Sequence, residues 1–235
     1  MLEATGVTLA FGRHRVLDQV SLSVPPGEVV GLAGPSGCGK STLARVLALL
    51  LPPSAGTVSV DGRRVGRWRH RAPQRTSIGL IFQQPRLAVD PRFTLLDVMA
   101  EPLRAAGRPL ARAHLLAERL GLTAELFTRL PHEVSDGQLQ RACVARALAL
   151  EPRYLICDEM TTMLDASTQA HLVAVIEEYR TATGAGVLAI SHDTELLHRW
   201  AGADVRAWTA DEGPGRMAGP PAYNAGEGGR RPGGG

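Results

Sequence analysis

The sequence has no long apolar run, few cysteines and a single lysine. No apolar run reaches the ~18 residues that a membrane-spanning helix needs, so no such helix is predicted. The opening segment, "MLEATGVTLAFG", has neither the basic nor the apolar stretch of an export signal, so export is not expected. The three cysteines, Cys38, Cys143 and Cys157, are far apart and form no metal-type pair, which favours a reducing cytosol.

Lysine is nearly absent from the chain. Of the 26 Lys and Arg residues all but Lys40 are Arg, and asparagine also occurs once, at Asn224. We interpret this as the bias of a GC-rich genome, which replaces Lys by Arg wherever either residue serves. The lysine that remains then marks a position where Arg does not serve. Because a compact ammonium and a planar guanidinium are not interchangeable, a tight phosphate site is such a position.

The composition that is present fits one globular domain. The chain has 235 residues, of which 44% are hydrophobic and 21% charged, enough for a full core. The net charge of +3 says little, because most of it comes from arginines near the C-terminus. The basic run "RRVGRWRHRAPQR", residues 63–75, allows two interpretations, a solvated connection between strands or a nucleic-acid contact. We favour the connection, because nothing else in the sequence supports a groove that follows phosphates.

Strand-like and helix-like segments alternate along the chain. Apolar runs such as "EVVGLAG", "IGLIF", "YLICD" and "GVLAI" predict buried strands, and apolar residues spaced three and four apart predict helices. The alternation predicts an α/β domain over residues 1–210 with a parallel sheet. A helical block at about residues 85–150 is predicted as an insertion. Residues 211–235, rich in Gly, Pro and Arg, are predicted to be a disordered tail.

The stretch "GPSGCGKST" matches G-x-x-x-x-G-K-[ST] and lies between a predicted strand and a predicted helix. That context predicts a phosphate-binding loop rather than a plain glycine-rich turn, because glycines let backbone N–H groups surround phosphates at a helix N-terminus. Lys40 would reach the β- and γ-phosphates, and the Ser41 hydroxyl would ligate Mg²⁺. The predicted ATP contacts of the loop are Gly34, Pro35, Ser36, Gly37, Cys38, Gly39, Lys40, Ser41 and Thr42.

Two acidic residues, Asp158 and Glu159, end the run "RYLICDE". They stand at the carboxyl end of a predicted strand, where open α/β sheets bind their ligands. Asp158 is predicted to hold Mg²⁺ through water, and Glu159 to orient or deprotonate the attacking water. An isolated Asp-Glu pair could also merely cap the following loop, but the phosphate-binding loop upstream favours the catalytic interpretation.

Two more polar residues follow predicted strands in the same manner. Gln83 comes after "IGLIF", and His192 comes after "GVLAI" within "SHD". A single histidine after a strand is more often a solvated loop residue, but here it would share a sheet edge with the two acidic residues. We therefore predict that Gln83 and His192 are catalytic, and that the Gln83 amide can also reach Mg²⁺.

The motifs "GPSGCGKST", "FQQP", "VSDGQLQR", "LICDE", "TMLD" and "SHD", in this order, resemble those of the ATP-binding cassette (ABC) ATPases. The resemblance runs from about residue 2 to residue 208. It implies a P-loop NTPase fold with a mixed core sheet, an N-terminal antiparallel β subdomain and an inserted helical subdomain. It also implies that Phe11 stacks on adenine, and that ATP and Mg²⁺ are the cofactors.

The polar segment "PHEVSDGQLQR" precedes a predicted helix and allows two interpretations, an ordinary capped turn or a loop that contacts another molecule. The resemblance implies the second interpretation. The family's signature, usually Leu-Ser-Gly-Gly-Gln and here "VSDGQ", closes over the γ-phosphate held by a second subunit. A capping role for Ser135 is compatible with it. The implied contacts to the partner's ATP are Ser135, Asp136, Gly137, Gln138 and, from "TMLD", Asp165.

Two positions depart from the family pattern. Asp136 replaces a glycine of the signature and would bring a carboxylate near a triphosphate, where like charges repel. Met160 stands where the family usually has Pro. Neither change removes a catalytic group, so we expect a competent ATPase.

The segment "QQPRLAVDPRFTLLDVMAEPL" resembles the peptide and nickel importer branch, in which an Asp/Asn-Pro-Arg triplet commonly follows this glutamine loop. The resemblance implies an ATP-hydrolysing subunit that powers import of peptides, nickel or metal chelates. Nickel or chelates are slightly favoured, because oligopeptide members usually extend further at the C-terminus. The implied partners are a second ABC ATPase subunit (homologous or identical), two permeases and, indirectly, an extracytoplasmic solute-binding protein. The implied place is the cytoplasmic face of the cell membrane, with no nucleic acid bound.

Two other classes of protein are alternatives. A soluble ABC-type ATPase acting on DNA or the ribosome would carry long coiled coils, zinc modules or a second cassette, and the sequence shows none of these. A regulatory module that binds nucleotide without turnover would lack Glu159 or His192, and both are present.

Overall fold

The computed structural model describes residues 1–68, 72–160, 164–209 and 216–217. The strands are β1 (Leu2–Phe11), β2 (His14–Val24), β3 (Val29–Ala33), β4 (Ala55–Val60), β5 (Arg63–Arg64), β6 (Ile78–Ile81), β7 (Tyr154–Asp158), β8 (Gly186–Ser191), β9 (Val205–Thr209) and β10 (Arg216–Met217). The α-helices are α1 (Lys40–Leu47), α2 (Leu95–Ala105), α3 (Ala111–Arg119), α4 (Asp136–Leu148), α5 (Ala166–Thr183) and α6 (Thr194–Ala201). Short 3₁₀ helices lie at Pro73–Ser77, Pro85–Leu87, Ala124–Leu126 and Pro131–Glu133.

The N-terminal sheet is antiparallel, with the strand order β2-β1-β4-β5. In β1 the buried residues are Leu2, Ala4, Val7 and Leu9, and the pairing with β2 shifts register between Ala4 and Val7. Alternation on either side of this irregularity keeps the apolar side chains on one face, which packs into the main core. The predicted N-terminal antiparallel subdomain is confirmed.

The core sheet has the strand order β10-β9-β3-β8-β7-β6. All neighbouring strands are parallel except β10, which is antiparallel to β9, so the predicted mixed sheet is confirmed. Every residue of β7 and β8 is buried, as expected for strands in the interior of a sheet covered on both faces. Because β3, β8, β7 and β6 are adjacent and parallel, the polar residues that follow them lie at one edge of the sheet.

Helices α2, α3 and α4 form the inserted helical block that the sequence predicts at about residues 85–150. Their apolar faces share one core, which includes Leu95, Met99, Leu103, Leu116, Leu139 and Leu148. Both α2 and α4 begin with a capping box, with Thr94 and Ser135 as the N-cap residues. This core is continuous with the core sheet, since it also includes Ile81 of β6 and Leu155 of β7.

The sequence patterns predict neither α6 nor β9. Asp193 is the N-cap residue of α6, and its carboxylate accepts a hydrogen bond from the Leu196 N–H at 3.0 Å. Only Leu197 of its eight residues is buried, and a helix of two turns is too short to show a sustained apolar period in the sequence. Strand β9 pairs in parallel with β3, on the side of β3 that faces away from β8. No helix among the described residues is long and apolar enough to cross a membrane.

Two residues of the predicted disordered tail, residues 211–235, form a short strand instead. Arg216 and Met217 pair with Thr209 and Trp208, because the outer edge of β9 offers unpaired backbone groups. The rest of the predicted disordered tail, residues 211–235, lies outside the described residues, as do residues 69–71 of the basic run.

Candidate functional site

The loop between β3 and α1 needs its glycines for close packing and for backbone conformation. A Cβ atom at Gly34 would stand 2.6 Å from Trp208 Cβ, and one at Gly39 would stand 2.9 Å from the Val16 carbonyl oxygen. Gly39 and Gly37 have φ angles of 110° and 79°, which side chains disfavour. No described atom lies within 4 Å of a Cβ at Gly37, so the loop backbone is open on that side.

Lys40 is the first residue of α1 and is only 4% exposed. Its Nζ donates hydrogen bonds to the carbonyl oxygens of Gly34 and Pro35, each at 2.7 Å. The same Nζ lies 3.6 Å from Glu159 Oε1. A compact ammonium with three donors suits this position, since the longer planar guanidinium of arginine has a different reach and geometry.

Ser41 and Asp158 meet where the loop approaches the end of β7. The Ser41 hydroxyl donates to Asp158 Oδ1 at 3.1 Å. Burial raises the pKa of Asp158; the hydrogen bond from Ser41 opposes this rise, and the neighbouring Glu159 carboxylate adds to it. A buried carboxylate beside a hydroxyl is an oxygen-rich pair of the kind that hard divalent cations bind.

Glu159 has a φ of 46°, a left-handed conformation that is rare for a residue with a side chain. Its N–H donates to the Ile190 carbonyl at 2.9 Å, which fixes the residue against β8. The carboxylate is buried and faces three polar groups. Gln83 Nε2 donates to Oε2 at 3.0 Å, His192 Nδ1 lies 3.4 Å from the same oxygen, and Lys40 lies beside Oε1.

The structure thus brings six of the predicted site residues to one sheet edge: Lys40, Ser41, Gln83, Asp158, Glu159 and His192. Phe11 lies elsewhere, at the end of β1, where it pairs with His14 and is 56% exposed. The same hairpin contacts the loop at Gly39 through Val16. Phe11 is therefore an exposed aromatic residue on the strand pair that borders the loop.

Ser135 and Gln138 hydrogen-bond to each other within the signature turn. The Gln138 N–H donates to Ser135 Oγ at 3.2 Å, and the Ser135 N–H donates to Gln138 Oε1 at 2.9 Å. A Cβ atom at Gly137 would meet nothing nearer than Leu164 Cδ2, at 3.6 Å. Among the described residues, no hydrogen bond or ion pair joins this turn to the loop at residues 34–42. The capping role expected of Ser135 is present in the structure.

Asp165 is the N-cap residue of α5. Its Oδ1 accepts hydrogen bonds from the Ser167 hydroxyl at 2.5 Å and from the Thr168 N–H at 2.9 Å. These hydrogen bonds, led by that of Ser167, hold the pKa of Asp165 well below its usual range. Asp165 is thus ionised at the start of the helix. The Thr and Met of "TMLD", residues 162 and 163, lie outside the described residues.

Two residues at the site were not found by reasoning from the sequence. Gln140 is 2% exposed, and its Nε2 donates to the carbonyl oxygens of Phe82 at 3.2 Å and Met160 at 3.1 Å. It therefore joins α4 to the residues beside Gln83 and Glu159. Arg86 contacts the segment that precedes α4. In the sequence, the only sign of such a role is that Gln140 is a polar residue on the buried face of a predicted helix.

A cleft of about 600 Å³ lies between the edge strand β6 and the helical block. Its lining includes Leu50, Ile78, Leu80, Phe82, Glu101, Pro102, Ala105, Arg146 and Leu150. One wall is the edge strand β6 and the other is formed by the C-terminal ends of α2 and α4. The cleft is mostly apolar and carries one acidic and two basic side chains, from Glu101, Arg75 and Arg146.

The chain is similar to ABC transporter proteins over most of its length. A family model described as ABC transporter matches residues 17–162. A peptide import ATP-binding protein of Brucella abortus is 40% identical over 194 residues, which cover 78% of this chain and 57% of that protein. The nickel import ATP-binding protein NikE of Shigella boydii is 39% identical over 199 residues, which cover 80% of this chain and 74% of that protein. The chain thus spans little more than half the length of the Brucella relative.

A solved structure supports the same assignment. The dimeric structure of MJ0796, a bacterial ABC transporter cassette, has a TM-score of 0.79 and 27% sequence identity, and the match covers 88% of this chain and 93% of that one. The dimer of the same cassette in a post-hydrolysis state, bound to ADP and Pi, has a TM-score of 0.78. With more than half of its length matched by the family model, and with the fold of a solved cassette, the chain belongs to the ABC transporter family.

Proposed function

We propose that the chain binds and hydrolyses ATP as one subunit of an importer, and that hydrolysis powers uptake of peptides, nickel or metal chelates through partner permeases. The observation that carries the proposal is the convergence at Glu159. A buried carboxylate at a strand end lies within reach of Lys40 at 3.6 Å, Gln83 at 3.0 Å and His192 at 3.4 Å. Catalytic residues held by a rigid sheet edge are what phosphoryl transfer to water requires.

The residues present fit Mg²⁺ as a cofactor. Ser41 and Asp158 put two oxygen ligands side by side, and a divalent cation would stabilise the ionised form of the buried Asp158. Gln83 offers a third oxygen at the same edge. When bound with ATP, Mg²⁺ neutralises negative charge on the phosphates.

The remaining steps follow from the chain's own residues. Lys40 and the backbone N–H groups of its loop bind the β- and γ-phosphates, and Phe11 stacks on adenine. Glu159 orients the attacking water and accepts its proton. Gln83 and His192 hold the Glu159 carboxylate in place, since both lie beside its Oε2.

The signature turn acts on a second subunit in this proposal. Ser135 and Gly137 would donate a hydroxyl and a backbone N–H to the γ-phosphate held by the partner, and Asp136, Gln138 and Asp165 would lie near the same nucleotide. Support comes from the lack, among the described residues, of a hydrogen bond or ion pair between this turn and the loop at residues 34–42, and from the dimeric state of the related cassette. The partner is a second copy or a homologous ATPase subunit.

The permeases are proposed to dock in the cleft between β6 and the helical block, which places the chain at the cytoplasmic face of the cell membrane. The cleft is apolar enough to bury a partner segment and offers charged side chains to orient it. The transported solute is not selected by any residue of this chain. Relatives at similar identity are named for import of peptide, nickel and, in Pectobacterium atrosepticum, glutathione.

The experiment that tests this proposal is co-purification with a tagged permease of the same transporter in detergent. The chain should be retained and should hydrolyse ATP there. Ala105→Arg, which places a charge on the exposed wall of the cleft, should abolish retention while ATP binding is kept. Ala203→Arg, on an exposed turn outside the cleft, is the matched control and should be retained. Stable association with ribosomes or DNA, without the permease, would overturn the proposal.

A further inference from the structure

Arg86 contacts the segment that leads into the signature turn. It lies in the 3₁₀ helix Pro85–Leu87, in the loop that carries Gln83. Its Nη1 donates to the Pro131 carbonyl at 2.7 Å, and its Nη2 donates to the Val134 carbonyl at 3.0 Å. One guanidinium thus binds two carbonyl oxygens of a segment that lies far away in sequence.

The third nitrogen of Arg86 faces the residue that departs from the family pattern. Arg86 Nε lies 2.7 Å from Asp136 Oδ1, and the two side chains are 44% and 46% exposed. The extra carboxylate of the signature is therefore paired with a cation of the same chain. Pairing turns this carboxylate towards the Gln83 loop and partly neutralises its charge.

We propose that Arg86 is a positioning residue for the signature turn. It holds the Asp136 carboxylate away from the phosphate that the turn faces, and it fixes the turn against the Gln83 loop. The proposal rests on the proposed function, because it takes the signature to act on a partner's ATP. It explains how the chain can carry Asp136 where the family signature has Gly and still keep a functional signature turn.

The test is a double-mutant cycle in the assembled transporter, with Arg86→Ala, Asp136→Gly and both changes together. We expect Arg86→Ala alone to lower kcat about tenfold, because an unpaired carboxylate then faces the partner's triphosphate. In the Asp136→Gly background, adding Arg86→Ala should lower kcat by no more than about threefold, because the carboxylate that Arg86 holds is already absent. The KM for ATP and the ATP affinity of the same chain's own loop should stay unchanged throughout.

Arg92→Ala is the matched control. Arg92 pairs with Asp90 at 2.7 Å a few residues further along, its side chain is 85% exposed, and the pair makes no described contact with the signature turn. This variant should have normal turnover. The thermal midpoint is measured for every variant, since a merely structural loss would lower it and would slow turnover equally with and without Asp136.

Normal turnover of Arg86→Ala would overturn the proposal. An equal loss with and without the Asp136→Gly change would also overturn it. A failure of the proposed function would look different, because Gly137→Asp would then leave ATPase activity intact or the unchanged complex would not hydrolyse ATP.

Discussion

The sheet edge and the signature turn differ in how completely this chain builds them. At the sheet edge, Lys40 and Glu159 are 4% and 7% exposed and are joined to their neighbours by short contacts. At the signature turn, Asp136 is nearly half exposed, and the hydrogen bonds of Ser135 close its own helix cap. One region is a network of buried side chains. The other is an exposed turn, to which we assign a contact with another molecule.

This difference teaches where each kind of mutation should act. A change at the sheet edge should affect ATP handling by the chain that carries it. A change at the signature turn should leave that chain's own ATP binding intact and act on the site of its partner. A sheet-edge variant that spares its own chain's ATP binding and turnover, or a signature variant that loses its own chain's ATP binding, would contradict this difference.

The largest effect is expected for Glu159→Gln. The amide keeps the size of the side chain but cannot accept the proton of water, so turnover should fall by roughly 10²–10⁴-fold while ATP binding remains. Glu195→Gln is the matched control, because Glu195 is an exposed acid paired with Arg199 at 3.5 Å on α6. Steady-state ATPase rates of both variants give the answer. Near-normal turnover of Glu159→Gln would remove Glu159 from the chemistry.

A smaller but still severe effect is expected for Lys40→Arg. The guanidinium is longer and its N–H groups lie in one plane, so it cannot take the position from which Nζ donates two 2.7 Å hydrogen bonds and reaches the phosphates. ATPase activity should therefore fall by about 10²-fold. The measurement is ATP affinity together with turnover. If the arginine variant is active, the single lysine of the sequence is there by chance.

The smallest effect is expected for Ser135→Ala, which tests whether Ser135 only caps its helix or also contacts the partner's nucleotide. Ser135→Ala and Thr94→Ala each remove the N-cap of a capping box and should each cost about 1 kcal/mol of unfolding free energy. For a chain of this length that is a fall of about 2–4 °C in the thermal midpoint. Only Ser135→Ala should also slow ATPase activity. Equal ATPase rates in the two variants would reduce Ser135 to a cap.

Much of the fold was predictable because the buried strands are apolar on both faces and end in polar motifs. The strands before Gln83, Asp158 and His192 were all found in this way, and their common sheet edge follows from parallel packing. Strand β9 was not predicted, because its sequence "VRAWT" is short and alternates only weakly between apolar and polar residues.

The contacts of Arg86 could not be predicted from the sequence. They depend on the loop after β6 lying against the start of α4, and the residues concerned are 45 and 48 positions apart. Nothing local in "FQQPR" indicates which carbonyl oxygens the arginine will meet. The same holds for Gln140, whose two acceptors come from distant segments.

Gly137→Asp is the variant that tests whether the signature turn serves a partner's ATP. A Cβ atom at Gly137 would meet nothing nearer than 3.6 Å in this chain, and an acidic residue suits the first turn of a helix, so the variant should fold normally. We predict that its ATP affinity and thermal midpoint stay unchanged, while ATPase activity of the assembled complex falls by about 10²-fold. Normal turnover, or a loss of ATP binding together with turnover, would contradict the claim.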